Sequence, residues 1–199
     1  MSCADKSLII ILHEIYGVNR HILRVAKYWE NNGFDVAIPA LYETGKSFDY
    51  CQASDACEYF VKNIGFNSYT KKVNELIGEL KNKYKHIFLI GYSIGATAAW
   101  LCSKNSDCSG IICYYGSRIR EYINISPFCP SLLIFASTES SFNVQQIAEK
   151  IRCIDNTEVY ILNGKHGFAD YFSENYSIDS EKSANELVKI FLNRRIENG

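Results

Sequence analysis

The chain alternates between short apolar runs of strand length and longer stretches whose apolar positions recur with helical spacing. Residues 8–12, Leu-Ile-Ile-Ile-Leu, form a continuous apolar run suited to a parallel strand covered on both faces. The turn His13-Glu14-Ile15-Tyr16-Gly17 follows. Asn19 can then cap a helix that carries Ile22, Val25, Ala26 and Trp29 at i, i+3, i+4 and i+7. Asn32-Gly33 ends that helix, and 34–38 is a second strand stopped by Pro39. After a loop-like stretch, 40–46, Asp49 is placed to cap a helix reaching about Lys62, with Ala53, Ala56, Cys57, Phe60 and Val61 on one face. A further helix, capped near Asn67 or Ser68, carries Val73, Leu76, Ile77 and Leu80.

The pattern continues to the C-terminus. Strands are expected at 87–90, 109–115, 131–137 and 157–162. Helices are expected after Ser93, around Val144, Ile147, Ala148 and Ile151, and over 180–195, where Ala184, Leu187, Val188, Phe191 and Leu192 face inward. Strands that alternate with helices predict an α/β fold, a mostly parallel central sheet with helices on both faces. Nothing in the pattern suggests a linker, a repeat or a low-complexity tract, so 1–199 reads as one domain.

Composition sharpens this picture. With 199 residues and 47% hydrophobic content the chain can bury a full core. The net charge is −1, with acidic and basic residues interspersed, which gives no footprint for nucleic acid or an anionic membrane. The N-terminus is polar, and the run 8–12 is too short for a signal or membrane segment, so a cytoplasmic location is expected. Eight cysteines, at 3, 51, 57, 102, 108, 113, 129 and 153, show no C-x-x-C pair and no zinc spacing. They read as reduced core and surface thiols, and no metal or other cofactor is implied.

The candidate chemistry lies in Gly91-Tyr92-Ser93-Ile94-Gly95. This G-x-S-x-G sequence sits between an apolar strand and a small-residue helix, which is the setting of a nucleophile elbow. A serine needs a base, and the base needs an orienting carboxylate. His166, on the glycine-flanked loop after strand 157–162, is the expected base. Glu139, the only carboxylate just beyond strand 131–137, is the expected acid, with Glu121 and Asp170 as fallbacks. His13 lies at the same sheet edge but precedes Ser93, so it is a weaker base. His21 and His86 read as structural or surface residues. Backbone amides of Ile94 and Ile15 are placed to receive an oxyanion. Glu14 points into the same space, and pairing with a nearby Lys or Arg is its alternative role. Tyr16, Tyr42, Phe48, Tyr92 and Phe168 are expected at the rim, with Glu14, Tyr16, Tyr92 and Phe168 lining a pocket, although core packing accounts for such rings equally well.

Three blocks resemble the dienelactone hydrolase family of α/β-hydrolases: Leu12-His13-Glu14-Ile15-Tyr16-Gly17-Val18-Asn19, Gly91-Tyr92-Ser93-Ile94-Gly95-Ala96 and His166-Gly167-Phe168-Ala169-Asp170. The resemblance implies an uncapped hydrolase core, a triad, and Glu14 beside the nucleophile. This chain departs from the family pattern in having Ser93 where the namesake enzymes have cysteine, and Glu139 where they have aspartate. It also has Asp170 where they carry a carboxylate-binding arginine. The expected activity is hydrolysis of a small-molecule carboxylic ester or lactone through an acyl-enzyme, with an anionic dienelactone disfavoured. The alternatives are a non-catalytic binding protein on a hydrolase core, or an acyl hydrolase acting on thioesters. No oligomeric state is read from the sequence.

Overall fold

The computed structural model describes residues 6–42 and 46–198. Cys3 and the polar N-terminus (1–5), together with 43–45 of the expected loop, lie outside the described residues. The rest forms a six-stranded, all-parallel sheet in the order β2-β1-β3-β4-β5-β6. Its strands are β1 (Ser7–Leu12), β2 (Asp35–Ala37), β3 (His86–Tyr92), β4 (Gly110–Tyr114), β5 (Ser131–Thr138) and β6 (Thr157–Lys165). The helices are α1 (Arg20–Asn31), α2 (Ala53–Tyr59), α3 (Gly65–Leu80), α4 (Ile94–Cys102), α5 (Val144–Arg152) and α6 (Ile178–Asn198). No described helix is long and apolar enough to cross a membrane.

The period-2 geometry of the strands divides the interior into two layers. Leu8, Ile10 and Leu12 of β1, with Ile87 and Leu89 of β3, face α3, α4 and α5 through Val73, Ile77, Ala99, Trp100, Ala148 and Ile151. Ile9 and Ile11, with Phe88 and Ile90, face α1 and α6 through Ile22, Val25, Trp29, Ala184, Val188 and Phe191. Each of the Val, Leu, Ile and Phe side chains among them contributes about 1.5–3 kcal/mol when fully buried. Both faces of every central strand are therefore committed to the core, and the chain's polar chemistry is left to the loops at the strand ends.

Local sequence sets most boundaries. The Asn19 side chain accepts the Ile22 N–H at 3.1 Å and caps α1, as expected. Two expectations between 49 and 80 need correction. Asp49 caps only a 3₁₀ turn, Tyr50–Gln52, through a capping box with Gln52, and a π-helical turn, Phe60–Ile64, follows α2. Within the expected stripe Ala56 and Phe60 are buried, while Cys57 and Val61, on its other edge, face solvent. Helix α3 then begins at Gly65, where φ is +66°, with no side-chain cap from Asn67 or Ser68.

Sheet order places the site. The loop after β1 leads to α1 on one face, and the turn after β3 leads to α4 on the other. The two strands are neighbours, with Leu12 opposite Gly91. Loops that diverge from adjacent parallel strands open a crevice at the carboxyl edge, where open α/β sheets carry their ligand sites.

Candidate active site

Ser93 is the single residue between β3 and α4, at φ +52° and ψ −111°. A serine takes up this backbone region only when its surroundings enforce it. Here the enforcement is the close approach of three backbone segments. A Cβ on Gly91 would lie 2.2 Å from the Gly95 carbonyl oxygen, and one on Gly95 would lie 2.2 Å from that of Leu12. Glycine within a helix costs about 1 kcal/mol relative to alanine. At Gly95 that loss is small beside a clash with an immovable backbone. The Ser93 N–H is held by the Tyr114 carbonyl at 3.0 Å.

The structure brings His166 and Glu139 to this serine. His166 Nε2 lies 2.9 Å from Ser93 Oγ, and its Nδ1 lies 2.9 Å and 3.2 Å from the two Glu139 carboxylate oxygens. Sheet register makes the second contact. Ala136 of β5 pairs with Leu162 of β6, but two residues later Thr138 pairs with Lys165, one residue further along β6. The additional residue is accommodated at Gly164, where φ is +137°, and Ser137 Oγ accepts the Gly164 N–H at 3.1 Å. Glu139 and His166 each follow directly after the pair Thr138–Lys165, and so emerge side by side. The Glu139 side chain is only 4% exposed. Burial by itself would depress the His166 pKa, but the Glu139 hydrogen bond and the negative charges of Glu139 and Glu14 outweigh it and raise the value.

Ile94 follows the serine directly, and Ile15 lies in the loop after the neighbouring strand β1. Ile94 opens α4, so its N–H has no partner within the helix. Neither amide donates to another backbone group among the described residues. The Ile15 carbonyl accepts from the Tyr42 hydroxyl at 2.5 Å, and the Phe48 N–H donates to the Tyr16 carbonyl at 3.0 Å. These two contacts tie the loop to the segment after Pro39. Glu14 is buried, and no Lys or Arg pairs with it among the described residues, contrary to its alternative reading. Its pKa rises to about 7, mainly through burial and further through the Asp170 carboxylate, while His166 opposes the shift.

The expected pocket needs revision. Tyr92 and Phe168 are 3% and 0% exposed. Tyr92 stacks on Tyr114 at 4.6 Å, and Phe168 packs edge-on to Tyr115 at 5.3 Å, so both belong to the core beneath the site. Tyr42 is buried too. The period-2 alternation of β3 explains Tyr92, because it falls on the same sheet face as Phe88 and Ile90. Tyr16 does remain half-exposed, and its ring meets that of Tyr50 at 4.8 Å. Tyr50 and Phe48 line a cleft of about 520 Å³ with Val18, Arg20, Leu23 and Phe172.

The fallback acids are engaged elsewhere. Glu121 pairs with Arg118 and Arg120. Asp170 is buried, accepts from the Tyr50 hydroxyl and the Phe172 N–H, and lies 3.6 Å from His21. Sequence reasoning missed Tyr50 in this role, and it missed Tyr115. Tyr115 follows β4 directly at φ +39°, with its ring 5.0 Å from that of His166. Its place at a strand's carboxyl end was the one available signal. His86 is buried at the far end of β3, and His13 is buried and hydrogen-bonded to the Glu14 carbonyl and the Leu41 N–H. Seven cysteines are free thiols, four of them buried, and no group of metal-ligating side chains occurs among the described residues.

Comparisons with known proteins converge on this architecture. The model of the dienelactone hydrolase family matches residues 2–196. An uncharacterised protein of Bacillus subtilis, YczH, is 38% identical over 167 residues, which span 83% of this chain and 82% of that protein. Among solved structures, a putative dienelactone hydrolase from Klebsiella pneumoniae superposes with a TM-score of 0.75 at 16% identity, covering 94% of this chain and 86% of its own. A dienelactone hydrolase-like promiscuous phosphotriesterase from metagenomic libraries also reaches 0.75, at 11% identity, covering 98% and 88%. An esterase of Pyrococcus furiosus reaches 0.67 at 19% identity, covering 97% and 84%. At these identities the solved structures establish the fold.

Proposed function

The chain belongs to the dienelactone hydrolase family, and as such is a hydrolase of the α/β type; on that premise we propose that it cleaves a small carboxylic ester or lactone through a Ser93 acyl-enzyme. The observation that carries this reading is the unbroken hydrogen-bonded line from Glu139 through His166 to Ser93. In this mechanism Ser93 Oγ attacks the carbonyl carbon while His166 Nε2 takes the hydroxyl proton. Glu139 holds the ring by Nδ1 and stabilises the imidazolium that forms. The amides of Ile94 and Ile15 receive the oxyanion. His166 then returns the proton to the departing alkoxide, and water, activated by the same nitrogen, releases the acid and restores the serine.

Electrostatics favour a neutral substrate. Glu14 and Asp170 place two buried carboxyl groups beside the site, so an anionic acyl group seated against them would meet like charge. Tyr16, Phe48 and Tyr50 offer ring surface for an aryl or short acyl group.

The test is turnover of a neutral short-chain aryl ester, with a fluorophosphonate as a covalent reporter. Wild-type protein hydrolyses the ester and is labelled. Ser93→Ala loses labelling and at least about a thousandfold of turnover, with its thermal midpoint nearly unchanged. Full activity in Ser93→Ala would sink the mechanism, and an unlabelled, inactive wild type would favour a binding protein instead.

A further inference from the structure

The Glu14–Ile15 peptide is held from outside the triad. The Glu14 carbonyl oxygen accepts from His13 Nδ1 at 2.6 Å and from the Gly17 N–H at 3.2 Å. On its other side the same ring accepts the Leu41 N–H, at Nε2, at 3.3 Å. A nitrogen that accepts carries no proton, so the neutral ring bears its proton on Nδ1, directed at Glu14 O. The ring is neutral near pH 7, since burial lowers its pKa to about 4.

A peptide group is planar, and no peptide here is cis, so the carbonyl and the N–H of one unit point in opposite directions. Holding the Glu14 carbonyl toward His13 therefore directs the Ile15 N–H away from it. The next peptide in the turn is pinned independently by the Tyr42 hydroxyl on the Ile15 carbonyl, so the turn cannot flip about its centre without losing that bond. His13 is fully buried, with its ring 5.3 Å from that of Tyr42. A side chain is thus spent on fixing one peptide plane, and the amide that this leaves without a backbone acceptor among the described residues is that of Ile15.

We propose that His13 is a positioning residue, whose Nδ1–H locks the Glu14–Ile15 peptide so that the Ile15 amide is preset as an oxyanion donor. This role rests on the Ser93 hydrolase reading. A preset donor helps only once the oxyanion exists, so its loss appears in kcat and in affinity for an oxyanion mimic, and not in KM.

Two substitutions separate the ring's two bonds. In His13→Asn the side-chain amide can occupy the Nδ1 position and keep the bond to Glu14 O, while the bond from Leu41 is lost. In His13→Gln the amide reaches the Nε2 position and the bond to Glu14 O is lost. We expect His13→Asn to keep kcat within about threefold, and His13→Gln to lower it roughly ten- to hundredfold with KM unchanged. Affinity for a trifluoromethyl ketone, which adds Ser93 to form an oxyanion, falls by the same factor in His13→Gln. Equal losses in both variants, or a loss in KM alone, overturn the role. Should either variant fail to fold, ¹⁵N NMR of the wild-type ring decides, because a proton on Nε2 also overturns it. Turnover that survives Ser93→Ala would instead sink the hydrolase reading, and this role with it.

Discussion

At the scale of single residues, the site depends on which proton each group holds. Glutamate at 139 reaches one methylene further than aspartate, and its carboxylate nevertheless meets His166 Nδ1 at 2.9 Å with the side chain nearly enclosed. Burial pulls the His166 pKa down, and the Glu139 bond, with the charges of Glu139 and Glu14, pushes it up with a net rise. A base must be unprotonated to act, so wild-type kcat/KM climbs with pH through a value above the usual 6.5 of histidine. Glu139→Gln removes the main upward influences and leaves burial in control. The acid limb of the profile then moves to lower pH, and the plateau falls about ten-thousandfold, because the ring loses its preferred tautomer and the charge that stabilises its cation. A pH–rate profile checks both, and an unmoved acid limb would argue against a Glu139–His166 pair.

At the scale of elements, the decisive feature is the irregular pairing of β5 and β6. Strand pairing is periodic by two, so a one-residue slip turns a side chain to the opposite face. The additional residue at Gly164 is what lets β6 deliver His166 beside Glu139. Gly164→Val places a β-branched residue at φ +137° with its Cβ 3.0 Å from that of Phe168, so the irregular pairing cannot form as it stands and the histidine should be displaced from Ser93. The expected result is a folded protein without fluorophosphonate labelling, read by circular dichroism and by mass. Retained labelling at the wild-type rate would show that the loop after β6, and not the bulge, sets the position of the base. Helix α4 shows the same dependence on backbone approach, since Gly91 and Gly95 are what allow β3, β1 and α4 to meet around Ser93.

At the scale of the whole molecule, three buried titratable groups shape stability against pH. His13 and His21 have pKa values lowered by burial to about 4, so the unfolded chain binds more protons than the native one as pH falls from 6.5 to 4. Each thereby removes about 3 kcal/mol of stability on acidification. Glu14 acts in the opposite sense. Its native pKa of about 7 means that the native state holds the extra proton between 4.5 and 7, which adds about 3 kcal/mol as pH falls. Two groups against one predict a stability maximum near pH 6.5 and a net acid loss of about 3 kcal/mol. Denaturant midpoints measured from pH 4 to 8 check this. Glu14→Gln should steepen the acid loss and flatten the decline between pH 6.5 and 7.5, and an unchanged curve would mean that Glu14 titrates normally.

The sequence by itself determined the order of elements, the two-sided core and the elbow, because each follows from a period or a short motif. Runs such as Leu8 to Leu12 have too few polar positions to face water on either side. Asn19 caps α1 through a bond only three residues long, and Gly91 and Gly95 announce a close approach within the same five residues as Ser93. Tertiary structure alone decided what depended on distances between strands far apart in the chain. These were the meeting of Glu139 with His166, the burial of Tyr92 and Phe168 beneath the site, the engagement of Asp170 by Tyr50 120 residues away, and the burial of Glu14 with no Lys or Arg paired to it among the described residues. The exposure of Cys57 and Val61 belongs with them, since a 3.6-residue pattern does not say which edge of its apolar stripe is covered. Local periodicity reports which side of an element is apolar. It does not report which residue from elsewhere fills the space opposite, and a catalytic geometry is made of that second kind of information.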